Sequence, residues 1–494
     1  MEMSKLGGVL LPVASLPGDY GVGDFGKHAY EFVDALASAG FKLWQILPLN
    51  PLGYGHSPYQ PYSSFAMDEL YADLGDLQKK HYIRRRAKWN AEAKAIDYER
   101  AREFRNPILH EAFETQMKKN PRCLNSFIEE NPWVLDWAAY MMFKRRYPSS
   151  WDSWPEEAKS WIKDRPSIAR KDSRAYKYEI WLQMTLYRQW DALHKYANSK
   201  GIEIIGDIPF YVGFDSCDVW ANQDCFLLDP ESRRPSFVAG VPPDYFSATG
   251  QRWGNPIYDW KHLEDTDFKF IEDRIAKNAK IYDIIRLDHF RAFDTYWKVP
   301  SSCPTAIEGA WIEAPGYALF DSLFAKYPQL QKRIIAEDLG DLRPEVLTLR
   351  DHYHFPGMNV VEFTFHDDAI EHKSGYEGYN SVVYLGTHDN DTMTHYLESL
   401  PEGERRNWEN AINSFGYNDD ISLTDKFIHF ALAKPAKYSI LTVQDILNLG
   451  AEGRINVPGI VDTVNWTYKM DDLKPFKERV VYLRHLLKAT GRAK

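Results

Sequence analysis

The sequence contains few cysteines and no long apolar run. Its four cysteines form no CxxC pair, and no His stands at zinc-finger spacing, so a disulfide framework and a structural zinc site are not expected. The N-terminal stretch MEMSKLGGVLLPV lacks the basic region and apolar core of a secretory signal. No run approaches the roughly 18 apolar residues of a membrane span. We therefore expect a cytoplasmic protein for which a membrane is not a partner.

Several common catalytic and nucleotide-binding motifs are also absent from the sequence. It has no GxxxxGK[ST] loop, no GxSxG elbow and no HExxH pair. The segment GVGDFG at 21–26 matches GxGxxG, but SLPGDY separates it from the preceding apolar run, and the next run ends in Asn50-Pro51 instead of an acid. The net charge of −10 argues against a nucleic-acid partner. We expect no cofactor and no bound metal.

What the sequence does have is a series of eight short apolar runs. Each is typical of a strand buried on both faces, as in a parallel sheet. Helical patterns separate several of them, such as KHAYEFVDALASAG at 27–40, which ends in glycine. Eight alternations of strand and helix predict an α/β protein, a (β/α)8 TIM barrel formed by 1–494 as one catalytic unit. The runs are 7–13, 41–49, 202–210, 281–290, 333–339, 359–365, 381–388 and 438–446.

Two connections between these runs are long. Residues 66–198 are charged, helical in pattern and rich in tryptophan, which predicts a mainly helical insertion after strand two. Residues 211–280 carry glycine, proline and aromatics without clear periodicity, which predicts an inserted loop subdomain that covers the site. Aromatic residues make up 15% of the chain, which fits either a large core or a cleft lined by aromatic rings.

Acidic residues follow four of the predicted strands. The carboxyl ends of barrel strands meet at one mouth, where active sites lie, so these side chains are expected to converge. Any one of them alone could be a loop acid in a salt bridge, whereas four together favour an active site. The residues at these strand ends are Asp207, Arg286, Asp288, Glu337, Asp338, His388 and Asp389.

Converging carboxylates suit metal binding, proton abstraction beside a carbonyl, or glycosyl transfer with one nucleophile and one acid/base. The supply of aromatic rings favours a sugar, whose apolar faces stack on such rings. The loop GVPPDYFSATGQRWGNPIY at 240–258 combines rings with amides, although it could also be a packed aromatic lid. Its candidate substrate contacts are Tyr245, Phe246, Gln251, Trp253 and Asn255.

The segments RLDHFR, AEDLG and GTHDND resemble the acid-bearing segments of the α-amylase clan. GDIPFYVGFDSCDVW, the GVPPDYFSATGQRWGNP loop, SPYQPYSSFA and INVPG are more specific. Together they resemble 4-α-glucanotransferases of the amylomaltase or disproportionating-enzyme type. The resemblance runs from GVLLPVASLPG near the N-terminus to Asn465-Trp466, which is nearly the whole chain.

The resemblance implies a barrel with inserted subdomains and no C-terminal β-domain. It also implies transfer of α-1,4-glucan segments to the 4-OH of glucose or another glucan, with retention. By motif match, Asp288 is the nucleophile, Glu337 the general acid/base and Asp389 the transition-state stabiliser. The expected partners are maltooligosaccharides, starch- or glycogen-derived glucans, and glucose as acceptor. The implied substrate contacts outside the loop are Ser57, Tyr59, Gln60, Asp207, Arg286, Asp338, His388 and Asn456.

Physical chemistry supports these implied roles. Arg286 lies two residues before Asp288 on the same strand face, where its charge favours the carboxylate form of the nucleophile. Carboxylates near Glu337 are expected to raise its pKa and keep it protonated. His388 is expected to donate to the same sugar ring.

Three other functions remain open at this point. An α-glucan hydrolase of the same clan would share the acids and differ in its acceptor. A non-catalytic glucan-binding protein would not need the acids intact. A metal-dependent barrel enzyme would lose its activity on chelation.

Overall fold

The computed structural model describes residues 5–84, 89, 95–243, 247–365, 378–418, 420–460 and 464–493. Twelve strands are found within these ranges. They are β1 Leu6–Leu10, β2 Leu43–Gln45, β3 Glu203–Ile208, β4 Phe237–Val241, β5 Gln251–Pro256, β6 Ile284–Leu287, β7 Thr295–Pro300, β8 Ala310–Glu313, β9 Ile334–Ala336, β10 Gly357–Val360, β11 Ser381–Tyr384 and β12 Tyr438–Thr442.

Eight of these strands form a parallel sheet that is rolled into a nearly closed barrel. Their order in the sheet is β10-β11-β12-β1-β2-β3-β6-β9. The barrel strands therefore follow one another around the sheet in the order in which they occur in the chain. The N–H of Ala336, at the end of β9, donates to the carbonyl of Pro356 just before β10 at 2.9 Å. This bond connects the two edges of the sheet. The predicted (β/α)8 barrel is therefore confirmed.

Every one of the eight apolar runs overlaps a barrel strand, because alternate apolar residues fill the interior while their neighbours face the helices. Leu10, Leu43, Ile205 and Ile335 belong to the inner cluster. One boundary was wrong. In the sixth run, 359–365, the strand ends at Val360 and Val361–Thr364 forms a helical turn.

The α-helices of the described ranges surround and extend the barrel. They are α1 Lys27–Ala39, α2 Leu74–Lys79, α3 Tyr98–Lys119, α4 Asn125–Glu130, α5 Trp133–Arg146, α6 Glu156–Lys159, α7 Trp161–Asp164, α8 Ser173–Ser199, α9 Cys217–Ala221, α10 Trp260–Asp265, α11 Lys269–Ile281, α12 Gly316–Lys326, α13 Pro344–His352, α14 Val361–Thr364, α15 Met393–Ser399, α16 Glu402–Asn413, α17 Leu423–Ala433, α18 Val443–Ile446 and α19 Lys474–Ala489. None of the helices described here is long and apolar enough to cross a membrane.

The first of these helices shows how the sequence pattern sets the packing. Phe32, Val33 and Leu36 of α1 are buried at helical spacing. The helix ends at Gly40, whose φ of 95° is the left-handed conformation that glycine adopts at low cost, and its N–H donates to Leu36 and Ala37. The predicted helix over 27–40 is confirmed.

Helices α2 to α8 lie between β2 and β3, within the stretch predicted as an insertion. Many of its tryptophans are buried, among them Trp137, Trp151, Trp154 and Trp181. These rings build a core instead of lining a cleft. As a division of the chain into domains, the 66–198 insertion stays a prediction.

A second, smaller sheet lies beside the barrel, and the sequence pattern did not reveal it. Its antiparallel order is β5-β4-β7-β8, so it combines strands from the connection after β3 with strands from the connection after β6. The predicted loop subdomain, 211–280, therefore misses two strands of this sheet and includes the barrel helix α11. Its division as a domain likewise stays a prediction.

Candidate active site

The candidate acids lie where the barrel strands end. Asp207 and Arg286 are opposite each other in the register of β3 and β6. Asp288 comes one residue after β6, and Glu337 one residue after β9. The N–H of Asp288 donates to the Ile208 carbonyl at 3.1 Å, and that of Glu337 to the Leu287 carbonyl at 3.0 Å. These bonds extend the strand ladders and fix the backbone of both acids.

Arg286 connects two of the carboxylates. Its Nη1 lies 2.9 Å from Oδ1 of Asp288 and 2.9 and 2.8 Å from the two oxygens of Asp207. Burial acts to lower the pKa of Arg286, but the charges of Asp207 and Asp288 outweigh it and hold the pKa well above its usual value. The guanidinium is thus a permanent positive charge that fixes Asp288.

Glu337 is a buried carboxyl group with a raised pKa. Its Oε2 accepts from the His289 N–H at 2.7 Å and its Oε1 from the Leu339 N–H at 3.0 Å. Burial raises the pKa of Glu337 to about 7, opposed by the charge of Arg286 and reinforced by that of Asp288. Burial is therefore the main cause of the raised pKa, and the neighbouring carboxylate predicted from the sequence contributes less.

The backbone turn after Asp288 makes the hydrogen bond from the His289 N–H to Glu337 possible. His289 has a φ of 50° and a ψ of 50°, the left-handed region that costs a residue with a side chain some strain. This conformation turns the chain directly after the acid, with the His289 N–H donating to Glu337. The imidazole lies edge-on to Trp253, with ring centroids 4.9 Å apart.

Asp389 follows β11 at the same mouth, and two neighbours position its carboxylate. Nδ2 of Asn456 donates to its Oδ1 at 2.6 Å, and Nε2 of His388 lies 3.4 Å from its Oδ2. The side chain is 44% exposed, so it can still reach a ligand. Tyr59 stacks on the His388 ring at 5.1 Å and 14°, and its hydroxyl donates to Asp207 at 2.7 Å.

These contacts form one continuous path around the mouth. From Asp389 the path runs to the stacked rings and then through Asp207 to Arg286. It continues through Asp288 and the backbone N–H of the next residue to Glu337. The full sequence of the path is Asp389, His388, Tyr59, Asp207, Arg286, Asp288, His289 and Glu337.

Three of the predicted substrate contacts have buried side chains that bond to other residues of the protein. Asp207 is fully buried beneath Arg286 and Tyr59, and burial raises its pKa. Asp338 is bound by Arg350 and by the Met358 N–H at 2.7 Å. Asn255 is buried and donates to the Val212 carbonyl at 2.9 Å. These contacts support the site from beneath, and a contact of any of the three with a sugar stays a prediction.

The aromatic loop is described only in part. The Trp253 carbonyl accepts from Gln60 at 3.2 Å, and its indole N–H donates to Gln251 at 3.2 Å. Ser57 accepts from the Tyr59 N–H at 3.2 Å and so shapes the turn that presents Tyr59. Two further predicted contacts, Tyr245 and Phe246, lie outside the described residues.

Trp466 is a residue of the site to which the sequence argument gave no role. Its ring lies 5.8 Å from that of Tyr59 and 5.9 Å from that of His388. Its backbone N–H donates to the Ile455 carbonyl at 2.7 Å, and its backbone carbonyl accepts from the Tyr98 hydroxyl at 2.6 Å. The sequence did contain a sign of its importance, because Asn465-Trp466 is the last segment that resembles the family.

Within the described ranges, no group of three His, Cys, Asp or Glu side chains could hold a metal ion.

Comparison with known proteins places the chain in a family. A family model described as 4-alpha-glucanotransferase matches residues 11–474. The chain belongs to the 4-alpha-glucanotransferase family. A member from Thermus thermophilus is 38% identical, with all of both chains covered. One from Aquifex aeolicus is 37% identical over 99% of each chain.

One solved structure agrees with this 4-alpha-glucanotransferase assignment, and a second one shares the fold. An amylomaltase from Streptococcus agalactiae, solved in complex with acarbose, has a TM-score of 0.92 and 34% identity and covers 99% of this chain and 100% of its own. An amylomaltase from Corynebacterium glutamicum shares the fold, with a TM-score of 0.75 over 99% of this chain and 75% of its own. The predicted family and activity class are confirmed, and the hydrolase alternative is not favoured.

Proposed function

We propose that the protein cleaves an α-1,4 linkage of a maltooligosaccharide or larger glucan and transfers the released segment to the 4-OH of glucose or another glucan. The path of contacts that joins Asp288 to Glu337 and Asp389 is the observation that carries the proposal. The Streptococcus agalactiae amylomaltase was solved in complex with acarbose, which supports an oligosaccharide-type ligand for this chain as well.

In the first step, Asp288 attacks the anomeric carbon while Glu337 gives its proton to the leaving glycosidic oxygen. The hydrogen bond from Arg286 falls on Oδ1 of Asp288, so Oδ2 is the attacking oxygen. The C–O bond to the leaving sugar breaks as the bond to Asp288 forms, which gives a covalent glycosyl ester with inverted configuration.

In the second step, the ionised Glu337 takes the proton from the 4-OH of the acceptor. That oxygen attacks the same carbon, the ester bond to Asp288 breaks, and the second inversion restores the α configuration. Asp389 binds ring hydroxyls, with hydrogen bonds that strengthen as the oxocarbenium ion develops. His388 donates to the same ring.

Transfer requires that a sugar reach the ester in preference to water. We assign the acceptor platform to Trp253, because its ring lies against His289, the residue next to the nucleophile. The side-chain amide of Gln60 donates to the Trp253 carbonyl and so holds its backbone in place. Tyr245 and Phe246 stay proposed as further parts of the platform.

Incubation with maltotriose, followed by chromatography, tests the proposed reaction. Transfer of a maltosyl or glucosyl unit to a second maltotriose gives glucose or maltose together with glucans longer than the substrate. Products limited to glucose and maltose, at every substrate concentration, would identify a hydrolase instead.

The rate of transfer is expected to fall as the pH rises above about 7. Glu337, with its pKa raised to about 7, carries the proton needed for the first step below that pH and loses it above. The initial rate with maltotriose should be measured across this range, with the melting temperature at each pH as the control. A rate that stays constant up to about pH 9, with the fold intact, would contradict the role of Glu337.

A further inference from the structure

The second aspartate of the GTHDNDT segment, Asp391, has no role in the steps above, yet it forms several contacts. Its Oδ2 accepts from Nη1 of Arg454 at 3.1 Å and lies 2.7 Å from Nδ1 of His395. Its Oδ1 accepts from the Thr392 N–H at 2.8 Å. The side chain is mostly buried, so this pair is shielded more than a surface ion pair.

Arg454 connects this carboxylate to the active site. Its Nη1 donates to Asp391, while its Nε donates to the backbone carbonyl of Asn456 at 3.1 Å. The side-chain amide of Asn456 is the group that donates to Asp389 at 2.6 Å. The planar guanidinium holds both acceptors at fixed relative positions, as its rigid fork of donors allows.

Asn456 needs such support because it lies in a loop. It follows a short 3-10 helix, Ala451–Gly453, and belongs to no barrel strand. On its far side, Asn465 accepts from the Val457 N–H at 3.0 Å and donates to the Ile460 carbonyl at 2.9 Å. Arg454 anchors the near side of this loop, and Asn465 the far side.

We infer that Arg454, held by Asp391, is a positioning residue that acts through Asn456 to aim the carboxylate of Asp389. The inference rests on the proposed role of Asp389 in transfer. Arg454 itself touches neither the sugar nor a reacting atom in this assignment. Its effect should therefore appear in the chemical step and depend on the presence of Asn456.

A double-mutant cycle tests this dependence. Arg454→Ala is expected to lower kcat with maltotriose by about tenfold to a hundredfold, with a smaller change in KM, because misplacing a stabilising group chiefly affects the transition state. Asn456→Ala should lower kcat by a similar factor. The double variant should be no slower than the slower single variant, because both changes break the same path.

The controls separate positioning from general loss of stability. Arg479→Ala removes a similarly exposed Arg–Asp pair, with Asp425, away from the site and should leave kcat unchanged. Arg454→Lys retains the charge beside Asp391 without the rigid fork, so it should recover the melting temperature but not kcat. It also serves as the test variant if Arg454→Ala does not fold.

Two results would overturn the inference. One is a normal kcat in a folded Arg454 variant, and the other is losses from Arg454 and Asn456 that multiply in the double variant. Failure of the proposed role of Asp389 is read separately, from Asp389→Asn. If that variant stays active, the role of Asp389 is wrong, whatever the cycle shows.

Discussion

Replacing Asp288 by Asn is expected to reduce transfer from maltotriose by about 10⁴-fold or more, because the amide cannot form the glycosyl ester. The change is nearly isosteric, and the amide oxygen can still accept from Arg286. The fold, and with it the melting temperature, should change little. The measurement is the rate of appearance of glucose and of longer glucans, compared with the unchanged protein.

Asp294→Asn is the matched control for this variant. Asp294 lies six residues further along the chain and accepts from Nε and Nη2 of Arg343. Because it touches none of the residues of the path, its variant should retain activity within about threefold. An active Asp288 variant, or an equal loss in both variants, would assign the nucleophile elsewhere.

Replacing Glu337 by Gln should produce a loss that depends on the leaving group. With maltotriose, whose leaving oxygen needs a proton, we expect transfer to fall by about 10²–10⁴-fold. With α-maltosyl fluoride, fluoride departs without a proton, so the first step should remain fast. The glycosyl ester should then accumulate, since Gln cannot take the proton of the acceptor.

A burst of fluoride close to one equivalent per protein molecule, followed by slow turnover, is the expected signal. Glu345→Gln, which changes an exposed acid in the following helix α13, should behave like the unchanged protein with both donors. Equal losses of rate with maltotriose and with the fluoride would contradict the acid/base role.

The barrel and the location of its site were predictable because they depend on local patterns. Apolar runs mark strands, and acids that directly follow a parallel strand must lie at the barrel mouth. The orientation of neighbouring side chains was harder to predict. Glu337 and Asp338 are consecutive after β9, and successive side chains of an extended chain point to opposite sides, so only Glu337 faces the site while Asp338 meets Arg350.

Features that depend on distant pairing could not be predicted from local patterns. The small sheet forms because β4 pairs with both β5 and β7, strands from two separate connections. Trp466 reaches the site through a loop far along the chain from Tyr59. The burial that raises the pKa of Glu337 is likewise a product of the whole fold. Neighbouring carboxylates predict a raised pKa from the sequence, but the main cause, burial, shows only in the folded structure.

Peptide mass spectrometry of the Glu337→Gln protein after brief reaction with α-maltosyl fluoride tests the central claim most directly. The claim is that the transferred glycosyl segment forms a covalent bond with Asp288, beside Glu337 at the barrel mouth. It predicts a maltosyl group on the peptide that contains Asp288, with fragmentation placing it on that carboxylate. A maltosyl group on Asp207 or Asp389, or fluoride release with no modified peptide, would contradict it.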